Sequence, residues 1–339
     1  MTVANKDLSL SGNSLSKIVD DISKVKVLVV GDLILDRYIW GGVERISPEA
    51  PVPVVNVRKI EDRMGGAGNV VANLTSLGAE VSVCGYIGDD EEGKTLLKMF
   101  EEQGVNREGV VIDPMRPTTL KTRVIAQAQQ VVRVDRELSD PPGEAVCEGL
   151  AAVFDVHLEK ADVVIVSDYG KGTVSKALLR KVTSAINEGR LSHEGRRVIL
   201  DPHPKNHQFY SHFSVVKPNR KEAEAASGIS ITDDESALSA AASLKDKWKC
   251  GCVLITMAEK GALVYIDKEN NAFIGTEALE VFDVSGAGDT VTAVFSAALA
   301  AGADYFEAAN LANIAAGIVV SEVGTVPVDV DELRKRLKA

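Results

Sequence analysis

The chain has 339 residues with a formal net charge of -11, and 45% of its residues are hydrophobic. This acidic balance disfavours a nucleic-acid partner, and no apolar run reaches the roughly 20 residues that a membrane-spanning helix needs. Cys84, Cys147, Cys250 and Cys252 form neither a disulfide framework nor a C-x-x-C metal motif, which predicts a reduced, cytoplasmic protein. Residues 1–20 are predicted to be a flexible tail rather than a secretory signal.

Apolar runs predict buried strands at residues 25–32, 81–87, 163–168, 198–201 and 252–256. Helical patterns lie at residues 68–77, 91–103, 174–187, 234–247 and 287–317. Alternating strands and helices predict an α/β fold with a mostly parallel sheet covered on both faces, as a single domain over residues 21–339. Asp32, Asp168 and Asp201 end three of the strands, and in such sheets the site lies beyond the carboxyl ends of the strands.

Residues 38–58 and 116–136 break this alternation, because they are rich in Pro, Thr and alternating Val. Both segments are predicted to form a small β lid inserted into the α/β body. Residues 51–55 are more apolar than an exposed ribbon should be, so two lids are predicted to pair about a two-fold axis in a homodimer.

Asp283-Val284-Ser285-Gly286-Ala287-Gly288-Asp289 precedes an apolar helical stretch. A helix N-terminus offers unpaired N–H groups, and Gly286 and Gly288 would let an anion approach them. A carboxylate beside an anion is unfavourable unless it takes a proton from an attacking hydroxyl, so Asp289 is predicted to be the general base of a phosphoryl transfer. The plain alternative is a glycine-rich turn capped by Asp289.

Three further motifs each have a functional and a structural interpretation. Gly65-Gly66-Ala67-Gly68-Asn69 could approach a sugar or only pack a helix tightly against a strand. Asn219 and Glu222 have capping-box spacing but could also hold Mg²⁺ beside nucleotide phosphates. Asp168 suits sugar hydroxyls and Lys171 suits a phosphate, although a turn with a surface lysine is as good an interpretation.

Three other patterns are rejected. Residues 88–95 match the P-loop expression, but four consecutive carboxylates there would repel phosphates, so a turn and a helix with an acidic first turn are predicted. His203, His207 and His212 are predicted to lie in a solvated loop rather than in a zinc site. An NAD-linked Rossmann enzyme would need G-x-G-x-x-G after the first strand, and Gly31-Asp32-Leu33 does not supply it.

Taken together, residues 65–69, 219–222 and 283–289 resemble the two glycine signatures and the N-x-x-E element of the PfkB/ribokinase family of sugar kinases. The resemblance implies a ribokinase-like three-layer α/β/α fold, ATP as co-substrate and Mg²⁺. It implies that Asp289 is the base and that the N–H groups of Gly286, Ala287 and Gly288 hold the charge on the transferred phosphoryl group.

The resemblance also implies roles for groups of residues. Sugar-binding residues are Asp32, Asp36, Gly65, Gly66, Asn69 and Asp168. Candidates for a phosphate already on the sugar are Lys171, Arg123 and Arg133. Nucleotide-binding residues are Asn219, Glu222, Thr256, Glu259, Gly261, Asn313 and Ala316, with Asn219 and Glu222 also positioning Mg²⁺. A K⁺ site is implied near Asp283, Ser285 and Ser321.

Within the family, residues 31–38, 45–54, 117–123, 129–130 and 167–172 resemble the D-glycero-β-D-manno-heptose-7-phosphate kinases, which make the 1,7-bisphosphate on the route to ADP-heptose for lipopolysaccharide. The H-x-G-H motif of the adenylyltransferase to which many of these kinases are fused is missing, so only a kinase half is expected. Residues 201–205 and 256–261 depart from the family pattern. The alternatives are another PfkB sugar or sugar-phosphate kinase and a non-catalytic sugar- or nucleotide-binding regulator.

Overall fold

The structure is a computed structural model that describes residues 12–127, 129–276 and 283–338. Its helices are α1 (Gly12–Ile22), α2 (Ala67–Ser76), α3 (Glu91–Glu102), α4 (Glu144–Leu158), α5 (Lys176–Asn187), α6 (Arg220–Ser227), α7 (Asp234–Trp248), α8 (Ala287–Ala300), α9 (Tyr305–Val319) and α10 (Val330–Arg336). Its strands are β1 (Lys26–Gly31), β2 (Leu33–Ile46), β3 (Pro53–Gly66), β4 (Glu80–Gly88), β5 (Asn106–Asp113), β6 (Thr119–Ala126), β7 (Gln129–Arg136), β8 (Val163–Ser167), β9 (Arg197–Asp201), β10 (Val215–Val216), β11 (Cys252–Thr256), β12 (Ala262–Tyr265) and β13 (Asn271–Ile274).

The main sheet has nine strands in the order β13-β12-β11-β10-β9-β8-β1-β4-β5. The pairs from β11 to β5 are parallel, whereas β12 and β13 add an antiparallel edge. Successive residues of β1 point to opposite faces: Val27 and Val29 join the core that contains α2, α8 and α9. Leu28 and Val30 join a second core with α4, α5 and α7. The predicted three-layer α/β/α fold is therefore confirmed.

The second sheet, which we call the lid, has the strand order β3-β2-β6-β7. Its strands contain most of the two segments predicted as a lid. The two faces of the lid differ. One face lines an apolar groove of about 550 Å³ with Ile39, Val52, Pro53, Val55, Val57, Val124, Val131 and Val132. The other face carries ion pairs between neighbouring strands, among them Arg123 with Asp36 and Lys121 with Asp135.

The prediction of a flexible tail over residues 1–20 is wrong from residue 12 onward, because α1 begins there. Leu15, Ile18, Val19 and Ile22 recur at helical spacing and are buried in the core, which explains why the segment is helical. The residues before Gly12 lie outside the described ranges.

Residues 88–95 form the turn and helix that the sequence predicts. Helix α3 begins at Glu91, and the Asp90 side chain caps it by accepting a hydrogen bond of 2.9 Å from the Gly93 N–H. Across the described residues, no helix combines the length and apolar character that crossing a membrane requires. All four cysteines are buried, and none is paired in a disulfide.

Candidate active site

Asp289 lies in the first turn of α8, directly after Gly286 and Gly288, and is hydrogen-bonded to Asn69, which follows the other glycine cluster. Its Oδ2 accepts a hydrogen bond of 2.8 Å from the Asn69 side-chain amide, and its Oδ1 accepts one of 2.5 Å from the Tyr169 hydroxyl. The residue is only 3% exposed. Asn69 belongs to α2 and Tyr169 follows β8, so three separate elements hold this carboxylate in one place.

The surroundings of Asp289 suit a general base. Burial, and then the charge of Asp201, raise the pKa of Asp289 to about 7, against hydrogen bonds from Tyr169 and Asn69 that lower it. Burial and the Asp289 charge raise the pKa of Tyr169 well above its usual value, so the phenol stays protonated and donates. A carboxylate with a pKa near neutrality can accept a proton from a hydroxyl group at neutral pH.

Glycine is required at two of the positions that meet around Asp289. Gly286 caps α8 with a φ of 83°, and a Cβ there would lie 2.6 Å from the Asn69 amide nitrogen. Gly66 has a φ of 56°, and a Cβ there would lie 2.6 Å from the Asp32 carbonyl oxygen. Close packing of the end of β3 against residues 32–34 therefore requires glycine at position 66, and the contact of this cluster with a sugar stays a prediction.

Lys217 and Asp201 lie beside the glycine turn of α8 and were not predicted as site residues. The buried Lys217 Nζ lies 3.0 Å from Asp201 Oδ1, and a Cβ at Gly288 would lie 3.5 Å from the same Nζ. Thr292 donates a hydrogen bond of 2.8 Å to the other Asp201 oxygen. Although burial lowers it, the charges of Asp201 and Glu222 raise the pKa of Lys217, so a cation is fixed next to the anion-binding turn.

The sequence carries a signal for Lys217. The residue directly follows the buried strand β10, just as Asp168 and Asp201 stand at the ends of their strands. Residues at the carboxyl ends of parallel strands face the site, and Lys217 has its place at the end of its strand as the two aspartates have at the ends of theirs.

A cavity of about 710 Å³ lies beside the α8 turn, and Tyr169, Asp201 and Lys217 are among the residues that line it. Its walls include Ala287 and Gly288 at the start of α8 and apolar side chains such as Leu254, Val291 and Val320. Every residue predicted to bind the nucleotide also lines it: Asn219, Glu222, Thr256, Glu259, Gly261, Asn313 and Ala316. A space lined by both apolar and polar side chains beside a helix N-terminus suits an adenine ring joined to phosphates.

Asn219 and Glu222 form the capping box that their spacing predicts. The Asn219 side chain accepts from the Glu222 N–H at 3.0 Å, and the Glu222 carboxylate accepts from the Asn219 N–H at 2.8 Å. Burial, and then the Asp201 charge, raise the pKa of Glu222. The structural interpretation is therefore correct, and it leaves both side chains on the wall of the cavity, where they could hold a hydrated Mg²⁺.

Asp32 and Asp168 are occupied by hydrogen bonds within the protein. Asp32 accepts from the backbone N–H groups of Tyr169, Lys171 and Thr173 at 2.8, 3.0 and 2.9 Å. Asp168 accepts from the N–H of Gly170 and from two side chains, those of Asn206 and Tyr210. Burial and the charge of Asp32 raise the pKa of Asp168 to about 7. The two carboxylates thus fix the loop of residues 168–173 that presents Tyr169 to Asp289.

The cations predicted to bind a sugar phosphate are each paired with a carboxylate. Arg123 donates to Asp36 at 2.5 Å, and a Cβ at Gly65 would come within 2.3 Å of the other Asp36 oxygen. Lys171 Nζ lies 2.7 Å from a Glu137 oxygen. The half-exposed Arg133 makes two hydrogen bonds of 3.0 Å to Asp135. Lys171 and Arg123 are largely buried, with side chains 15% and 13% exposed.

The residues implied in K⁺ binding come from two neighbouring loops. Asp283 accepts hydrogen bonds from the N–H groups of Ser285 and Gly324 at 2.8 and 2.9 Å. Although burial raises it, these bonds lower the pKa of Asp283. Ser321 donates to the Ile318 carbonyl oxygen at 2.6 Å. Residues 277–282, directly before Asp283, lie outside the described ranges.

The three histidines do not form a metal site. The His203 ring caps a short turn by accepting from the Lys205 N–H at 3.2 Å. Within the described parts of the chain, no group of three or more His, Cys, Asp or Glu side chains could hold a metal ion.

Residues 24–331 match the model of the pfkB family carbohydrate kinase. The chain is 44% identical over 316 residues to the bifunctional protein HldE of Desulfatibacillum aliphaticivorans, covering 93% of this chain and 64% of that protein. It is also 44% identical over 309 residues to the bifunctional protein HldE of Geobacter sulfurreducens, covering 91% and 62%. The chain therefore spans a little under two thirds of the length of these curated relatives.

Two solved structures share the fold. One is Arabidopsis thaliana ribokinase complexed with ribose and ATP, with a TM-score of 0.70 at 20% identity over 92% of this chain and 99% of that one. The other is Escherichia coli phosphofructokinase-2 in complex with substrates and products, with a TM-score of 0.73 at 18% identity over 93% and 100%. At these identities the likeness shows the fold alone.

Proposed function

The chain belongs to the pfkB family of carbohydrate kinases, and we propose that it transfers the γ-phosphoryl group of ATP to O1 of D-glycero-β-D-manno-heptose 7-phosphate. The product would be the 1,7-bisphosphate, a precursor of ADP-heptose and lipopolysaccharide. The single observation that carries the transfer is Asp289: a buried carboxylate with a pKa near 7, at a helix N-terminus between a nucleotide-sized cavity and a charged lid face. The choice of acceptor rests on the motifs that resemble heptose 7-phosphate kinases and on the 44% identity to proteins named HldE.

In the proposed reaction, Asp289 takes the proton of the acceptor hydroxyl as that oxygen attacks the γ-phosphorus. The N–H groups of Gly286, Ala287 and Gly288 and the Lys217 ammonium would stabilise the charge on the transferred group. Asn219 and Glu222 would hold Mg²⁺, which neutralises phosphate charge when it is bound. Asp283, Ser285 and Ser321 would hold K⁺, which would add positive charge near the same turn.

The acceptor would lie between Asp289 and the lid. Asp36, Gly65, Gly66 and Asn69 are proposed to face the sugar, and Asp32 and Asp168 to contribute through the loop of residues 168–173. Lys171, Arg123 and Arg133 are proposed to bind the phosphate that the sugar already carries. A protein with a net charge of -11 needs such converging cations, because it would otherwise repel a dianionic acceptor.

We further propose that two copies pair through the apolar face of the lid, in the cytoplasm. Val57, Val132 and Val134 are exposed on the lid, at 55%, 46% and 56%. Exposed valines on the edge strands β3 and β7 are unfavourable in a monomer, and a two-fold contact would bury them. Light scattering at micromolar concentration should give a dimer, and a monomer would refute this proposal.

The test of the reaction is ATP consumption across a panel of phosphorylated heptoses, hexoses and pentoses, with unphosphorylated heptose included. Heptose 7-phosphate should give the highest kcat/KM, and phosphorus NMR should place the new phosphate on O1. A higher kcat/KM with a hexose or pentose phosphate would replace the heptose by another acceptor of the same family. Equal activity on phosphorylated and unphosphorylated heptose would refute the role of the distal phosphate.

A further inference from the structure

Lys121 and Lys171 share the carboxylate of Glu137, and Lys121 Nζ also lies 3.5 Å from Asp135 Oδ2. Lys171 Nζ lies 2.7 Å from Glu137 Oε1, and Lys121 Nζ lies 3.6 Å from Glu137 Oε2. Lys171 follows β8 of the main sheet, whereas Lys121 is on β6 of the lid. Their side chains are only 15% and 16% exposed, so two ammonium groups from different sheets converge on one largely enclosed anion.

Glu137 fits this position poorly. Its Oε2 is buried and has no hydrogen-bond partner among the described residues, since the 3.6 Å to Lys121 is too long for a hydrogen bond. An ionised carboxylate has two oxygens and about four acceptor positions, and leaving one oxygen unpaired away from water is unfavourable. A phosphate monoester has three terminal oxygens and a larger charge, so it can bond to two ammonium groups at once.

The backbone position of Glu137 allows its side chain to rotate away from Lys121 and Lys171. Strand β7 ends at Arg136 and the next helix, α4, begins at Glu144, so Glu137 is just beyond the last ladder pair of the lid. A side chain at the start of a connection can rotate away without breaking the sheet.

The two lysines also border the acceptor side of the site. Tyr169 bonds to Asp289, and Lys171 follows two residues later on the same fixed loop. Lys121 is the cross-strand neighbour of Asp36 in the β2–β6 register. The loop of residues 168–173 and strand β6 therefore connect the lysine pair to residues predicted to face the acceptor, Asp289 through Tyr169 and Asp36 through the lid register.

We propose that Lys121 and Lys171 bind the phosphate group that the acceptor already carries, and that Glu137 occupies their site until this phosphate displaces it. The proposal rests on the proposed function in one respect, that the acceptor is a sugar phosphate. It adds Lys121 and an internal competitor to the residues named above. An acceptor without a phosphate cannot displace Glu137, so the exchange itself selects phosphorylated sugars.

Inorganic phosphate is the probe for this site. Its affinity is measured by titration calorimetry in the presence of Mg²⁺ and a saturating non-hydrolysable ATP analogue, so that the nucleotide side is already filled. Glu137→Gln removes the competing charge and keeps the side-chain shape, and it should tighten phosphate binding by about tenfold, the scale of one charged hydrogen bond. Lys121→Met and Lys171→Met should each weaken phosphate binding by about tenfold or more.

Glu61→Gln is the matched control. Glu61 is also a lid carboxylate between two cations, Lys59 at 2.6 Å and Arg63 at 2.8 Å, and its side chain is 27% exposed against 24% for Glu137. This substitution should leave phosphate affinity within about twofold of the unmodified enzyme.

The proposal is overturned if Glu137→Gln leaves phosphate affinity unchanged, if Glu61→Gln tightens it equally, or if Lys121→Met has no effect. These outcomes are separate from the fate of the proposed reaction. An enzyme that is inactive on heptose 7-phosphate but responds to Glu137→Gln keeps the anion site and loses the acceptor assignment. An enzyme that is active on heptose 7-phosphate but indifferent to Glu137→Gln loses only the displaceable carboxylate.

Discussion

The nucleotide side and the acceptor side of Asp289 are built differently. On the nucleotide side, seven predicted residues surround one cavity of about 710 Å³. On the acceptor side, Lys171, Arg123 and Arg133 each contact a carboxylate of the same chain. One side is open before its ligand arrives, whereas the cations of the other are already neutralised.

Charge accounts for the difference. The walls of the nucleotide cavity include apolar side chains such as Leu254 and Val291, and two of its charged residues, Lys217 and Asp201, are paired with each other. Cations in a protein of net charge -11 instead find internal partners, because 49 acidic residues compete for 38 basic ones. Substitutions at the α8 turn should therefore act mainly on kcat, and substitutions among the acceptor-side ion pairs mainly on the KM for the sugar.

The largest effect is expected from Asp289→Asn. The variant keeps the size of the side chain but cannot accept the proton, so kcat should fall by roughly 10³-fold or more while ATP still binds. Steady-state kinetics, with circular dichroism and calorimetric ATP binding as controls, checks this expectation. Near-normal kcat in a folded variant would remove Asp289 from the role of base.

A smaller loss is expected from Lys217→Met. Removing one donor at a site of developing charge typically lowers kcat by about 10²- to 10³-fold. The substitution also leaves Asp201 buried without its partner, so the double variant Lys217→Met/Asp201→Asn is needed to separate stability from catalysis. The double variant should regain thermal stability and remain slow. Recovery of kcat in the double variant would mean that Lys217 acts only through folding.

These residues also show which parts of the fold and of the site could be predicted from the sequence. The three-layer fold and the capping box of Asn219 and Glu222 were predictable, because strand and helix patterns and capping boxes are local. The roles of Asp289 and of the nucleotide residues stay predictions, and the structure shows that the latter line one cavity. Lys217 directly follows strand β10, so its place at the site was also predictable from its position at a strand end.

Tyr169 and Glu137 were not predictable in their roles. Their contacts, with Asp289 and with two lysines, join residues far apart in the chain or in different sheets. No local spacing encodes such pairs. Similarly, Asp32 and Asp168 were correctly placed at strand ends, but only the structure shows that they hold the loop of residues 168–173.

Tyr169→Phe should shift the pH dependence more than it lowers the maximal rate. The Tyr169 hydroxyl donates to Asp289 and lowers the pKa of that carboxyl. Without it the pKa should rise above about 7, so the acid limb of the kcat/KM profile should move to higher pH.

At pH 7 the Tyr169→Phe variant should be about 3- to 10-fold slower, and it should recover most of its activity near pH 8.5. Tyr265→Phe, a substitution on β12, is the control and should leave the acid limb in place. A uniform loss at every pH would show that the tyrosine only packs against the site.

The smallest expected effect is that of Asp289→Asn on the stability of the fold. It follows from the burial that raises the pKa of Asp289. This carboxyl has a pKa of about 7 in the folded protein against an ordinary value of 3.8, so the folded state binds a proton more readily than the unfolded state. The free energy of unfolding therefore falls as pH rises from about 4 to about 7, because the buried group must then ionise. Asn has no charge to bury, so Asp289→Asn should raise the melting temperature at pH 8 by about 2–6 °C and by much less at pH 5. Thermal denaturation of both proteins at the two pH values measures this difference. An equal change at both pH values would indicate that ionisation of Asp289 does not destabilise the fold.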